Sequence, residues 1–499
     1  MYCSPYFYTD SSDSLSRPSV LKYDNVYITV NSDRIFRAGS SFIMMRQKQI
    51  DFEHGNPFSV IIQAGVPMLV GQVLNLLYSI VDRMYIGRIP EVGTLALGGI
   101  GLCFPVILMI MAFANLYGFG GAPLCAMARG CGDRERAEYI MNSAATILLA
   151  LGIGLCLLGY LTAEPVLRAL GASENTLPFA MAYLQIYLIG TIPFMFSTGL
   201  NPYINAQGFA QTGMMTVFIG AAANIILDPV FIFLFGMGIR GAAVATVISQ
   251  FLSAAFAIGF LRSPGSELHL RFLPLNRLDL PLVGEMTGLG LVNFIMTFTN
   301  SLVAIVCNTT LAAFGGDLAV SVYTIISSVR SIVDVPLLAF ANGAGPALSY
   351  SYGGKQFDRL KSLIWIVLTL CCSFSLILWV LIFFFPQAFI RVFTSDSALM
   401  TAAIPGLHIY FFAFVFQSFQ TVAQNVFKAL GKKRRAIFFS LFRKVIMVVP
   451  LTLILPHIAG LGVKGVYMAE PISNVIGGMA SFTTMMLTIY FRLGKDENV

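Results

Sequence analysis

Two acidic residues, Asp82 and Asp228, lie in long apolar runs, where a charged side chain is costly unless it binds something or faces water. Each follows a polar residue by one helical turn, Tyr78 before Asp82 and Asn224 before Asp228, so each pair projects from one helix face. Two carboxylates that share a cavity of low dielectric constant raise each other's pKa, and burial raises it further. The spacing predicts a site that takes up and releases a proton near neutral pH.

Two of the acidic groups also have a simpler explanation. Asp82 is followed by Arg83, and the two can form a solvated ion pair at the end of their apolar run. Arg330 and Asp334 stand one turn apart, which favours an ion pair within a single helix. In both cases the charges would neutralise each other locally and serve no site.

A third candidate is Glu470, which lies in an apolar stretch near the end of the chain. As a buried carboxylate it can attract a cationic ligand. It can equally pair with Arg443 or Lys444, and both alternatives stay open at the level of the sequence.

Membrane helices must position these residues. Of the 499 residues, 57% are apolar and only 11% are charged, which is too few charges to cover the surface of a water-soluble protein. A helix needs about 20 apolar residues to cross a bilayer. The gaps between charges predict twelve spans, at 57–86, 93–120, 137–161, 178–204, 211–234, 240–262, 281–312, 318–350, 359–386, 402–428, 436–456 and 464–491.

The loops between the spans predict the orientation. Those after spans 2, 6, 8 and 10 carry 14 basic residues, whereas those after the odd-numbered spans carry 5. Basic loops stay in the cytoplasm, so we predict that both termini are cytoplasmic and that the net charge of +7 reflects the membrane and not a nucleic-acid partner. The polar segment 1–56 has no apolar signal region, and we predict that it is a disordered extension.

The chain is also an internal repeat. Pro123 and Pro346 are 223 residues apart, Thr246 and Glu470 are 224 apart, and Asn75 and Asn300 are 225 apart. These offsets predict two six-helix lobes, 57–262 and 281–492, joined by a cytoplasmic linker at 263–280 and followed by a tail at 493–499. Because six is even, the halves are parallel, and two parallel lobes around a central cleft are typical of secondary transporters.

Several of these residues together resemble the multidrug and toxic compound extrusion (MATE) family. The resemblance covers roughly 57–490, and no single motif decides it. The residues that carry it are Pro67, Gly71, Gln72, Asn75, Tyr78 and the run Asp82-Arg83-Met84-Tyr85-Ile86-Gly87, then Asn224, Asp228 and Pro229, and finally Gly241, Ala245 and Thr246.

The resemblance implies an antiporter that exports amphipathic or cationic organic compounds in exchange for protons or sodium. It assigns the protons or cations to Asp82, Asn224, Asp228 and Thr246, cavity-lining positions to Tyr78 and Asn201, and a bend in the first helix to Pro67. Some relatives carry an acidic residue in span 7, where this chain has Asn300, so we expect coupling through the N-lobe. Glu470 would then contribute to binding a cationic substrate.

The resemblance also implies partners and excludes others. We expect small organic cations as substrates, a monomer in the cell membrane, no cofactor, and no metal site apart from sodium at Asp82 and Asp228. The nearest alternative is a flippase for lipid-linked saccharides, which would need a cleft rich in arginine. A phosphate-binding loop and the usual hydrolase motifs are missing from the sequence, which argues against an ATP-driven pump and against an enzyme.

Overall fold

The computed structural model describes residues 49–90, 92–394, 396–458 and 460–494, and these residues form helices and connecting turns without a strand. The prediction for the extension 1–56 therefore falls largely outside the described residues. Leucine and phenylalanine side chains point outward along the helices, with Leu161 81% and Phe412 72% exposed. Such apolar exposure suits contact with lipid.

The helices run along the chain as follows, with labels for the membrane spans. They are α1 Pro57–Gly87, α2 Gly93–Gly130, α3 Arg134–Ala169, α4 Leu177–Ile189 with Thr191–Ala206, α5 Ala210–Leu234, α6 Ile239–Arg262, α7 and α8 within Leu280–Gly353, α9 Phe357–Phe384, α10 Leu399–Phe411 with Phe414–Ala429, α11 Lys433–His457 and α12 Val463–Tyr490. A short helix, Pro386–Arg391, lies between α9 and α10.

Three helical segments are bent. The long helical segment changes direction at Gly316, whose positive φ of 60° suits a residue without a Cβ, so α7 covers 280–315 and α8 covers 317–353. The two segments of α4 meet at a bend of 59°, and those of α10 at 48°. With each bent pair taken as one span, the described residues provide the twelve predicted spans.

Matching turns begin α6 and α12. Gly238 precedes α6 with φ 56° and ψ −132°, and Gly462 precedes α12 with φ 49° and ψ −129°. Positive φ values of this kind favour glycine, and the two glycines are separated by the repeat offset of 224 residues. The structure thus shows the sequence repeat as a repeated turn and helix.

Glycines bring the lobes into close contact at the end formed by the α2–α3 and α8–α9 loops. A Cβ on Gly130 would lie 2.0 Å from the Tyr350 carbonyl oxygen, and one on Gly353 would lie 2.1 Å from that of Met127. Small residues allow helices to approach this closely within a membrane. The predicted orientation makes this contact the cytoplasmic end.

Residues 49–55, here called the strap, cross both lobes at this end. The Ile50 N–H donates to the Gly208 carbonyl at 2.9 Å in the N-lobe, whereas the Arg359 guanidinium of α9 donates to the Phe52 carbonyl at 2.7 Å. The Asp51 carboxylate accepts hydrogen bonds from the backbone N–H groups of His54 and Glu53, which lower its pKa. Although we predicted disorder up to residue 56, the strap is packed, with Ile50 and Phe52 buried.

Candidate functional site

Helices α1 and α5 pack against each other in the N-lobe and bring Asp82 and Asp228 together. Asp82 is 8% exposed, and Asp228 is fully buried. The two carboxyl groups lie close enough to interact electrostatically. The predicted pair of carboxylates is therefore present as one pocket, here called the acid pocket.

Four oxygen atoms of the acid pocket accept no hydrogen bond within the described part of the chain. Asp82 Oδ1, both oxygens of Asp228 and Asn224 Oδ1 are buried, and no N–H or O–H group of the described residues donates to them. Burying acceptors without donors is unfavourable, and burying two charges of the same sign is more so. A proton shared between the carboxylates, or a small cation bound by the oxygens, removes both penalties.

The ion pair of Asp82 with Arg83 is not formed. Arg83 is exposed and stacks its guanidinium carbon 5.5 Å from the centre of the Phe104 ring. Asp82 turns the other way, into the lobe, and makes no salt bridge with a described residue. This arrangement leaves Asp82 available for the acid pocket.

Other side chains complete the pocket. Asn224 Nδ2 donates to Thr246 Oγ1 at 3.3 Å, and Thr246 in turn donates to the Ala242 carbonyl at 2.9 Å, which holds the amide oxygen of Asn224 toward the pocket. Tyr78 and Tyr183 lie close enough to Asp82 to interact with it electrostatically.

Tyr183 and Tyr187 were missed at the sequence level. Their rings stack 6.0 Å apart on α4, one turn from each other. The spacing of four residues between two tyrosines in an apolar span is the signal that would have identified them.

Two predicted residues lie elsewhere. Asn201, at the end of α4, donates to the Gly213 carbonyl at 2.7 Å and accepts from Asn205 at 3.0 Å. Gly213 precedes Asp228 by 15 residues, or about 22 Å of helix. Pro67 lies the same distance before Asp82, near the lobe contact, within an unbroken α1. The structure does not bring either residue into the acid pocket.

Glu470 occupies a different environment in the C-lobe. Its Oε1 atom forms a short ion pair with Arg330 and lies 3.3 Å from Arg443 Nη2 and 3.5 Å from Lys444 Nζ. A carboxylate enclosed by three basic groups does not attract a cation, so the predicted role of Glu470 in binding a cationic substrate is not supported. The alternative, pairing with Arg443 or Lys444, matches two of its contacts, but the nearest partner is Arg330, which that alternative did not include.

The ion pair between Arg330 and Asp334 also exists, with Nε 3.3 Å from Oδ2, but it belongs to a larger network. Arg330 additionally donates to Tyr410 Oη at 2.6 Å and to Gln417 Oε1 at 3.1 Å. Gln417 completes the circuit by donating to Asp334 Oδ1 at 2.9 Å. The pair is therefore not confined to one helix, since it links α8 to α10 and α12.

The repeat relates the acid pocket to a neutral pair in the C-lobe. By the offsets of 225 and 224 residues, Cys307 is the C-lobe equivalent of Asp82, and Thr452 is the equivalent of Asp228. Cys307 Sγ lies 3.8 Å from Thr452 Oγ1, so the equivalent side chains also meet, but without charge. The two lobes share a backbone plan and differ in their chemistry.

Known proteins resemble the chain over both lobes. The family model described as MatE matches residues 67–230 in the N-lobe and 293–454 in the C-lobe. The chain belongs to the MATE family of efflux transporters. The predicted all-α membrane fold with two six-helix bundles is thereby confirmed, and so is the predicted family.

Two curated relatives of this MATE transporter match nearly its whole length. The multidrug export protein MepA of Staphylococcus saprophyticus is 24% identical over 450 residues, which cover 89% of this chain and 97% of MepA. The probable multidrug resistance protein YoeA of Bacillus subtilis is 25% identical over 435 residues, which cover 85% of this chain and 91% of YoeA.

A solved structure shows the same fold. It describes the outward-facing conformation of a multidrug resistance MATE family transporter and superposes with a TM-score of 0.82. The match covers 90% of this chain and 99% of that one at 23% identity. This likeness supports the arrangement of the helices and says nothing about substrates.

Proposed function

We propose that this MATE transporter is a secondary antiporter, which exports amphipathic organic compounds, cations among them, in exchange for protons or sodium ions. The observation that carries the proposal is the acid pocket, where Asp82 and Asp228 face each other without a donor. The relatives named for multidrug export support the choice of substrates.

Exchange follows from competition for the same carboxylates. A bound proton or sodium ion neutralises the acid pocket, and an organic cation does the same from the cleft. Each therefore weakens the binding of the other, and this reciprocal effect couples inward ion flow to outward export. Asn224 and Thr246 would add neutral oxygens to the cation, and Tyr78 would contact the organic part of the substrate.

The alternation of access would use the contact between the lobes. Close glycine contacts and the strap hold the lobes together at the end that we propose is cytoplasmic, with both termini on that side. Pro67 lacks an N–H group, so α1 can bend there and change the position of Tyr78 and Asp82 relative to α5. The acid pocket is built by a single chain, which fits a monomer in the cell membrane.

Transport by reconstituted protein tests the proposal. We expect vesicles that carry Asp228→Asn to lose export of a fluorescent organic cation driven by a pH gradient or a sodium gradient. The reason is that the coupling ion and the substrate can no longer compete for the pair of carboxylates, since only Asp82 remains. Comparing the two gradients identifies the coupling ion. Asp317→Asn is the matched control, since Asp317 is exposed beside the α7–α8 bend.

The control should transport like the unmodified protein. Undiminished transport by Asp228→Asn under both gradients would contradict coupling through the acid pocket. An equal loss in Asp317→Asn would point to a general defect of the protein and would also count against the proposal.

A further inference from the structure

The C-lobe holds a cavity of about 350 Å³ between α7, α8, α10, α11 and α12. Its walls combine polar groups with apolar side chains such as Met296, Val303 and Leu338. Asn342, Asn425 and Lys428 also line a smaller gap that has walls from both lobes, so the cavity continues toward the interface between the lobes. It is placed to receive a small molecule from the cleft.

Basic side chains outnumber acidic ones in this cavity. The basic ones are Arg330, Lys428, Arg443 and Lys444, and the acidic ones are Asp334 and Glu470. These six are the charged side chains that line the cavity among the described residues. With all six charged, the walls carry a net charge of +2.

Both carboxylates are already paired with basic groups of the cavity. Asp334 accepts from Arg330 and from Gln417. Glu470 Oε1 accepts the short ion pair from Arg330 and is then approached by Arg443 and Lys444 at longer distances. Asp334 and Glu470 supply two negative charges to the three cations Arg330, Arg443 and Lys444, so one positive charge is not neutralised within the cluster.

Unused donors remain where the charge is in excess. Arg443 is 4% exposed, and its Nε has no acceptor among the described residues, although its Nη1 donates to Asn474 Oδ1. Lys428 Nζ donates to the amide oxygen of Asn293 at 3.3 Å and forms no ion pair with a described residue. Buried cations without an anion are unfavourable, unlike a network that serves only to hold helices together.

We propose that the C-lobe cavity binds the anionic group of a free organic compound, a carboxylate or a phosphate on an apolar body, through Lys428, Lys444 and Arg443. The amide donors of Gln420 and Gln424 line the same wall, and the apolar side chains suit the remainder of the compound. The substrates of this transporter therefore include organic acids and zwitterions. This extension rests on the proposed function only for the claim that the bound compound is cargo.

Equilibrium binding to the purified full-length chain in detergent tests the proposal without an ion gradient. Four probes share one aromatic ring and differ in the attached group. The group is a carboxylate in benzoate, a phosphate in phenyl phosphate, a neutral amide in benzamide and a cationic amidinium in benzamidine. We expect benzoate or phenyl phosphate to bind at least about tenfold more tightly than benzamide, because hydrogen bonds between charged groups are the stronger ones. We expect benzamidine to bind no more tightly than benzamide.

Variants locate the site. Lys444→Gln should weaken binding of the anion about tenfold, and Lys428→Gln should weaken it as well, while benzamide binding stays unchanged. Lys464→Gln removes one positive charge from an exposed position at the start of α12 and should leave anion binding intact. Thermal unfolding of each variant establishes that it is folded. If Lys444→Gln does not fold, Lys428→Gln provides the test.

Three results would overturn the proposal. The first is equal or tighter binding of benzamidine than of both anions. The second is anion binding that Lys464→Gln weakens as much as the cavity variants do. The third is binding of a short-chain phosphatidic acid with no binding of benzoate or phenyl phosphate, which would assign the cavity to a lipid headgroup. None of these results depends on ion-driven transport, so failure here and failure of the proposed antiport are separable.

Discussion

The acid pocket of the N-lobe and the basic cavity of the C-lobe occupy related places in a duplicated fold, yet their polar groups are handled in opposite ways. In the N-lobe, three of the four carboxylate oxygens of Asp82 and Asp228 are buried and accept no hydrogen bond from a described residue. In the C-lobe, Glu470 is held by Arg330, Arg443 and Lys444. Thr246 in the N-lobe and Glu470 in the C-lobe are equivalent positions of the repeat. The same position therefore holds a neutral hydroxyl in one lobe and the centre of an ion network in the other.

The two lobes therefore contribute different binding groups. Groups whose hydrogen-bonding needs are met by the protein stabilise the structure, whereas groups whose needs are unmet are ready for a ligand. Among the described residues, the acid pocket has buried acceptors without donors, and the basic cavity has a buried donor of Arg443 without an acceptor. We propose that one duplicated scaffold thereby offers two binding sites of opposite charge, one in each lobe.

The largest expected effect is on the stability of the C-lobe. Glu470→Gln leaves Arg330, Arg443 and Lys444 without their shared counter-ion, and breaking a buried pair in this way costs about 3–5 kcal/mol. We expect a clear fall in the thermal unfolding temperature of the purified protein. The control is Glu174→Gln, since Glu174 pairs with Arg168 at 2.7 Å while its side chain is 83% exposed.

Exposed pairs contribute about 0–1 kcal/mol, so the control should unfold close to the unmodified protein. Equal unfolding temperatures for the two variants would show that the Glu470 network does not stabilise the C-lobe. They would contradict the contrast between a stabilising network in the C-lobe and a binding pocket in the N-lobe.

A smaller effect of opposite sign is expected in the N-lobe. Asp228→Asn removes one of two facing charges and supplies an amide donor for Asp82 Oδ1, which lacks one. A hydrogen bond of this kind contributes about 1 kcal/mol, so the unfolding temperature should rise or stay level even though transport is lost. A destabilisation as large as that of Glu470→Gln would indicate that the acid pair holds the lobe together.

The smallest effect is expected at the neutral counterpart of the acid pocket. Cys307→Ser keeps a polar atom facing Thr452 Oγ1, so stability should change by less than about 1 kcal/mol, and the ratio of ions exchanged per substrate should not change. Ion flux and substrate flux measured together in vesicles check this. A changed ratio would show that the C-lobe pair takes part in coupling and would contradict coupling through the N-lobe alone.

Much of the fold was accessible from the sequence because apolar length and loop charge are local properties. The twelve spans, the two lobes and the repeat offsets all follow from counting. The bends in α4 and α10 did not follow, since they depend on how neighbouring helices pack. The strap was missed for the same reason: its polar sequence resembles a free tail, whereas Ile50 and Phe52 are buried against residues far along the chain.

The sites were predicted to different degrees. Asp82 and Asp228 are conspicuous because each is a rare charge in an apolar run, and their spacing to Tyr78 and Asn224 gave the helix face. Arg330 has a nearby partner in Asp334 that concealed its contact with Glu470, 140 residues away. Lys428 is the last residue of predicted span 10, and its position in the wall of the C-lobe cavity did not follow from the sequence.

Proton release from the purified protein tests the central claim most directly. Addition of sodium or of an organic cation such as ethidium to weakly buffered protein should displace protons from the unmodified chain, and the double variant Asp82→Asn with Asp228→Asn should release none. Release from the double variant equal to that from the unmodified protein would contradict the exchange of ion and cargo at this pocket, and so would the absence of any displacement from the unmodified chain.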